Sequence, residues 1–446
     1  MYNRRDQADA HAFLAGRLVA AVLRAEPDAP ERPLRRTSTG MLGGVAIAIL
    51  VVAAVVAIGL FTGMGSGNSW RKPGTLIVDK DNGNRYLLLG DVLRPVLNYA
   101  SARLLVHGNP STASVRDSDL ARIPKGAPIG ILGAPDALPT VSGGSAKPWT
   151  VCAGSGKDGP TVAVTVGVMP DVRPSAVGEA LLVRVGEQLY LVWQGTVSRI
   201  TEAWVPRALG LDPTTAMAVD AAWLNTLPAG PDLGAPPLDR DGQGPLVGGA
   251  PTTTGQLVTV PDAVGDKLFA AAPGGLIPVS GTVGALVGAD PRGGLTPLRT
   301  TPAELAKQHV LPAPPWQSQL PPQPPTPMDT RSRMPCVRWD GTAASLVSAP
   351  PLNGPGQSGG QAGLTRDGRV ADRVEVAPGG GFLARTRPAP GIAGAGIYLI
   401  TEAGAKFPVA SEDAAEALGF PARSAQLVPA ELLDLLPTGP PLDVIQ

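Results

Sequence analysis

The chain has 446 residues, with 37 basic and 37 acidic side chains, 43% apolar content and only 7 Trp, 5 Tyr and 6 Phe. Zero formal net charge and so few aromatics exclude the basic, ring-lined footprint of a nucleic-acid binder. Its 56 Gly and 49 Pro come near the low-complexity range, yet the apolar fraction is enough for real cores, so compact units joined by Pro/Gly-rich connectors are expected.

In chain order, residues 1–40 form a stub in which Leu14, Leu18, Ala21 and Val22 recur at helical spacing until Pro27 ends the pattern. This predicts a short amphipathic helix, marginal alone, that lies on the inner leaflet or docks on a partner. Residues 41–64 follow as a transmembrane helix: the 21 positions 41–61 carry no charge. At about 1.5 Å per residue they span roughly 30 Å, a bilayer's hydrocarbon core. A signal h-region is shorter and earlier, and Met64-Gly65-Ser66-Gly67 is a poor cleavage site, so a permanent anchor is expected. Arg4, Arg5, Arg17, Arg24, Arg32, Arg35 and Arg36 place the stub in the cytoplasm and everything after Gly65 outside. Arg71 and Lys72 weaken that contrast without reversing it.

The exported part repeats a unit of about 25–35 residues: strand, Gly turn, second strand often ending in Pro-Val, short helix. Repeat 1 (74–110) has Tyr86, Gly90 and Pro95; repeat 2 (178–212) has Tyr190 and Gly195; repeat 3 (254–290) has Phe269, Gly274 and Pro278; repeat 4 (393–422) has Tyr398, Gly404 and Pro408. The aromatic-to-Pro interval is nine residues in repeats 1 and 3 and ten in repeat 4. Each unit is too small to bury both faces of a hairpin, so stacking or docking is implied.

Segments 120–172 and 330–390 lack this pattern and carry one cysteine each, Cys152 and Cys336. An even count in an oxidising compartment favours a disulfide, and two ligands cannot build a structural zinc site. The two segments are expected to form one central β domain, stapled by that bond, with repeats 2 and 3 as an insertion. The eight prolines of 311–327 predict a stiff polyproline-like spacer, and 423–446 a C-terminal tail.

A search for chemistry finds little. His11, His107 and His309 have no obvious partner. Gly356-Gln357-Ser358-Gly359-Gly360 matches a nucleophile elbow in letters, but lies in a flexible tract rather than between strand and helix. Gly154-Ser155-Gly156-Lys157-Asp158 resembles the tail of a phosphate loop, yet Val151 and Asp158 stand where Gly and Ser or Thr are needed. No cofactor or metal is expected, and an enzymatic role is disfavoured.

Several blocks resemble the EccB family, the single-span component of the type VII (ESX) secretion machinery of actinobacteria. They are Arg4-Arg5-Asp6-Gln7 with Phe13-Leu14-Ala15-Gly16-Arg17, Pro33-Leu34-Arg35-Arg36, Pro95-Val96-Leu97-Asn98 with Ala100-Ser101-Ala102-Arg103-Leu104, Ile129-Gly130-Ile131, Trp149-Thr150-Val151-Cys152, Cys336-Val337, and residues 432–440. The resemblance covers nearly the whole chain. It implies an α+β protein: a single transmembrane helix, then an elongated exported region with four small α/β repeat units around a disulfide-linked central β domain. It also implies an inner-membrane complex with an EccC-like FtsK/SpoIIIE ATPase and EccD-like and EccE-like membrane subunits, in which the exported domains self-associate. Some descriptions of the family call it an ATPase, for which this sequence shows no Walker motif. The expected function is therefore a non-enzymatic scaffold of a secretion channel; the alternatives are a membrane-tethered cell-wall-binding repeat protein and an ATP hydrolase.

Overall fold

The computed structural model describes residues 4–24, 35–64, 69–140, 146–167, 169, 171–238, 240–293, 295–352, 363–387 and 396–445. It divides into two compact units, one of residues 1–84, 88–92 and 112–124, the other of 85–87, 93–111 and 125–446.

The first unit begins with helices Arg4–Arg24 and Arg35–Met64. Within the second helix, Gly40–Ile58 has a mean hydropathy of 2.9 and none of it is buried by protein. Backbone groups in such a segment are satisfied within the helix, which suits it to a lipid surround despite its many β-branched residues. Leu14, Leu18 and Val22 of the first helix are exposed. Trp70 is buried beside strand Thr75–Asp79, with the Arg71 guanidinium 4.9 Å from its ring centre. Asp79 closes the turn after that strand, accepting from Asp81 N at 2.9 Å and Asn82 Nδ2 at 2.7 Å.

The second unit is organised around a six-stranded sheet in the order Arg373–Val376, Gly159–Val166, Trp149–Gly156, Met334–Trp339, Ala344–Ala349, Arg173–Pro174. Side chains alternate between its faces, as the pleat requires. Trp149, Val151, Val164, Val337 and Trp339 enter the main core, whereas Cys152, Cys336 and Val347 form a smaller cluster with Met169.

Three further sheets are each an antiparallel meander whose first strand also takes a later parallel strand, and the one begun by Glu179–Val185 has a fifth strand, Thr326–Pro327, on that same first strand. Their orders are Thr196–Arg199, Gln188–Trp193, Glu179–Val185, Met217–Ala218; Gly275–Val279, Lys267–Ala272, Leu257–Val260, Leu298–Arg299; and Lys406–Val409, Ile397–Ile400, Phe382–Thr386, Gln426–Val428. A helix follows each meander: Val205–Ala208, Gly281–Ala289 and Glu412–Ala417. The last two start at serine caps, Ser280 accepting from Val283 N and Ser411 from Ala414 N. Extended chain then covers the outer edge of each meander, through Val197↔Ala229, Leu276↔Val310 and Lys406↔Thr438.

Two further cores pack helices together in pairs. One packs Ala100 and Leu104 of helix Tyr99–Val106 against Ala414, Ala417 and Leu418, with Arg103 Nε donating to Ala417 O at 3.0 Å. The other packs Val205 and Leu209 against Val283, Leu286 and Val287. The main core unites the central sheet with Leu181, Val192 and Trp223 on one hand and Phe382, Ile400 and Leu432 on the other.

Three expectations change. Residues 382–386, assigned from sequence to the central domain, pair instead with Ile397–Ile400. The Pro/Gly-rich stretch between those strands hid the hairpin from a reading that looks for tight turns; of it, 388–395 lie outside the described residues. The tail 423–446 is core rather than appendage: Leu432, Leu433, Leu435, Leu436 and Leu442 are buried, and Gln426–Val428 runs parallel to the 382–386 strand. The proline run 311–327 is a fastened strap. Leu320 is buried, Gln317 accepts from Ser280 N and donates to Pro278 O, both at 3.0 Å, and Thr326–Pro327 pairs with Glu179 and Ala180. Prolines cannot donate, but their carbonyls accept, as Pro322 O does from Gly281 N at 2.9 Å.

Candidate functional site

The central strands place Cys336 directly opposite Cys152 and Trp339 opposite Trp149. The two sulfurs are bonded, 184 residues apart in sequence, and both cysteines are buried. Trp223 Nε1 donates to Val151 O at 3.0 Å, fixing helix Ala221–Leu224 to the strand that carries one of them.

The aromatic, glycine and proline positions singled out in the repeats fall at recurring places. On the third strand of each meander, Arg199 lies opposite Tyr190, Pro278 opposite Phe269 and Pro408 opposite Tyr398. Tyr86 is buried beneath the Lys125 ammonium, 5.6 Å from the ring centre, and Lys406 stands 5.8 Å from the Tyr398 ring. Gly90, Gly195, Gly274 and Gly404 all have positive φ, between 62° and 84°. Pro95 O accepts from Ile129 N at 2.9 Å and Pro408 O from Leu442 N at 2.7 Å. A residue's N–H and C=O lie on one edge of a strand, so the donor that each proline lacks belongs on the outer edge, where the meander has no further partner to lose.

The catalytic motifs do not assemble. Gly156 pairs with Gly159, so Lys157 and Asp158 form the exposed turn of an antiparallel hairpin, whereas a phosphate loop needs a loop opening onto a helix N-terminus. Ser358 lies outside the described residues. His107 caps helix Tyr99–Val106 in the left-handed region, and His309 contributes its backbone carbonyl to Leu276 N. Among the described residues no group of three or more His, Cys, Asp or Glu is placed to hold a metal ion.

Two buried ionic groups were not legible in the sequence. Lys406 donates Nζ to Leu433 O at 2.7 Å, 3.6 Å from Asp434, and so ties helix Ala430–Leu433 to the sheet; burial lowers its pKa against the pull of Asp434. Asp290, whose side chain is fully enclosed, lies 2.8 Å from Arg292 Nη2 and 3.2 Å from Arg240 Nη2. The Arg292 hydrogen bond holds its carboxyl below the ordinary 3.8. With the folded pKa below the unfolded one, this stabilisation is present above pH 3.8 and lost as pH falls through the folded value. Asp290→Asn is expected to cost about 3 kcal/mol, because it strands the mostly buried Arg240 charge. Urea denaturation at neutral pH and at steps downward from pH 3.8 measures the cost and its decline as the carboxyl takes up a proton.

The model of the family described as type VII secretion system ESX-1, transport TM domain B, matches residues 2–445. The chain is 30% identical over 470 residues to the ESX-5 secretion system ATPase EccB5 of Mycobacterium tuberculosis (strain H37Rv), covering 98% of this chain and 91% of that protein. It is 29% identical over 485 residues to the ESX-3 secretion system ATPase EccB3 of the same strain, covering 98% and 88%. In three dimensions it is similar to a chain of an intact ESX-5 inner membrane complex (composite C3 model), with a TM-score of 0.69, 28% identity and coverage of 99% of this chain and 94% of the other. It is also similar to the EccB3 dimer from the ESX-3 core complex, with a TM-score of 0.66, 25% identity and coverage of 82% and 98%. The match to the family along almost its whole length, on a fold shared with those assemblies, makes this chain a member of the EccB family of type VII (ESX) secretion systems.

Proposed function

We propose that the chain is a structural core subunit of a type VII secretion membrane complex, anchored by one span and self-associating through its exported body. The observation that carries this is the likeness, over 99% of the chain, to a subunit of an ESX-5 inner membrane complex. The arginines of the stub favour a cytoplasmic N-terminus, with the body outside. The EccC-like FtsK/SpoIIIE ATPase supplies the energy, and EccD-like and EccE-like subunits complete the membrane part.

The exported body reads as four copies of one unit around the two-part central domain. Supporting this are the strand order common to three sheets and the same strand–strand–strand–helix–strand–helix succession within residues 75–120. The unit is longer than the sequence suggested, since it includes the parallel fourth strand and the extended segment that closes the meander.

Purification of full-length protein in mild detergent, followed by mass and composition of what accompanies it, tests the proposal. A large assembly with an FtsK-like ATPase and a multi-span subunit is the expected result; a lone monomer or dimer would overturn it. The word ATPase in the relatives' names favours one rival, intrinsic hydrolysis. The purified chain is expected to show no ATP turnover above background, whereas turnover abolished by Lys157→Ala would establish the rival.

A further inference from the structure

Two cations, Arg71 and Lys72, stand just beyond the apolar helix, on the side of the span where basic residues are ordinarily scarce. Both are exposed, and among the described residues neither takes part in a salt bridge. The carboxylates that follow in sequence are committed elsewhere. Asp79 is buried at the far end of strand Thr75–Asp79, about 13 Å along it, and closes its own turn through Asp81 N and Asn82 Nδ2. Asp81 Oδ2 accepts from Asp117 N at 2.9 Å.

The two cations belong to a folded turn. Trp70 is 6% exposed, so its ring is seated in protein instead of lying in the interface as juxtamembrane tryptophans commonly do. The Arg71 guanidinium rests 4.9 Å from the ring centre, a contact that orients the charge without neutralising it. Thr75 N donates to Lys72 O at 3.2 Å, which closes the turn onto the first strand. Only residues 65–68 separate this turn from helix Arg35–Met64. Extended chain covers about 3.5 Å per residue, so Lys72 stays within roughly 25 Å of the helix end. Contact with headgroups is then intramolecular, and two weak contacts suffice where a free protein would need many.

We propose that the turn Trp70–Lys72 docks the exported body on the anionic phospholipid headgroups of the leaflet from which the chain emerges. Lys72 meets a phosphate as a point charge, and Arg71 offers several donors in one plane. Because Trp70 is packed beside strand Thr75–Asp79, a headgroup held at 71 or 72 fixes the sheet that begins there and not only the linker. The inference needs the span but not the assembly, so it is tested on a single chain and stands or falls apart from the scaffold reading.

Hydrogen exchange at Thr75 and its neighbours, in full-length protein held in nanodiscs of phosphatidylcholine with or without phosphatidylglycerol, tests it. Near an anionic surface each cation contributes about a factor of five, so exchange at low salt should be about 25-fold slower in the anionic discs. About 1 M salt should erase the difference, since charges then act over only about 3 Å. Lys72→Gln should leave a ratio of about five, Lys72→Gln with Arg71→Gln should bring it to about one, and Arg71→Lys should keep most of it. Each variant is compared with itself in the two lipids, so any loosening of the turn by the substitution cancels. A wild-type ratio near one, or a ratio that survives the double glutamine change or high salt, would overturn the proposal.

Discussion

Replacing Cys152 and Cys336 together by alanine is expected to lower the stability of the exported body by about 3–5 kcal/mol. The bond joins residues 184 apart, and the loop it closes contains one five-stranded and one four-stranded sheet. On the chain-entropy account a loop of that length gives about 5 kcal/mol, and native bonds commonly deliver somewhat less. The local geometry favours the upper part of the range. The cysteines are 1% and 0% exposed, directly opposed on neighbouring strands, and Met169 and Val347 pack on the same cluster. Truncation to alanine therefore removes buried contacts as well as the cross-link. Urea midpoints of the wild-type and double-alanine proteins under non-reducing conditions measure the loss. A difference below 1 kcal/mol would mean that the two halves of the central sheet hold together without the bond. Enclosure also implies that the folded protein resists thiol reductants until it opens, so reduction should track unfolding rather than precede it.

The central sheet was legible because its signals are local: each cysteine lies in a short β-like segment, Trp149-Thr150-Val151-Cys152 and Cys336-Val337-Arg338-Trp339, with a tryptophan three residues away in both cases. Turn glycines were legible for the same reason, since a positive φ at Gly90, Gly195, Gly274 and Gly404 demands a residue type that stands out in a sequence. What stayed hidden depends on pairing at a distance. Strand Phe382–Thr386 looks like one more strand of the central domain until its partner, beyond a Pro/Gly-rich stretch, is known. Parallel strands of two residues, such as Met217–Ala218 and Leu298–Arg299, are too short for periodicity to register. Nothing in the sequence sets Asp290 and Lys406 apart from other charged residues, and only the packing around them shows that one is enclosed between two arginines and the other under helix Ala430–Leu433. The proline strap misled for a different reason. Its composition describes an isolated chain, whereas Trp316, Gln317 and Leu320 find partners only on the sheets it crosses.

Gly195→Ala is expected to cost more than the same change at any of the other three repeat turns, about 3–5 kcal/mol. A Cβ there would lie 2.2 Å from Ala344 O, 2.5 Å from its carbonyl carbon and 2.9 Å from Ser345 Cα, all backbone atoms of the central sheet that cannot swing aside. Its φ of +84° adds a second penalty for any L side chain. At Gly274 the φ is nearly the same, +83°, but nothing lies within 4 Å of the added atom, so only the conformational penalty of about 1 kcal/mol remains. Gly90, with φ +62° and open space, should behave like Gly274. Gly404 falls between, because its nearest neighbours are the Val374 side chain at 3.1 and 3.4 Å, which can yield by a few tenths of an ångström. Urea midpoints of the four single variants give the series directly, with Gly195 first, Gly404 second and the remaining two together. Equal costs at Gly195 and Gly274 would show that the hairpin at 194–195 is not seated on the central sheet. The expected order carries a structural consequence for the repeats: one glycine serves two purposes. At 195 and 404 it turns the chain and admits the turn to the central sheet, while at 90 and 274 it only turns the chain. Similar sequence at these four positions therefore conceals two local settings, with neighbouring strand atoms within 3.5 Å of an added Cβ at 195 and 404 and none within 4 Å at 90 and 274.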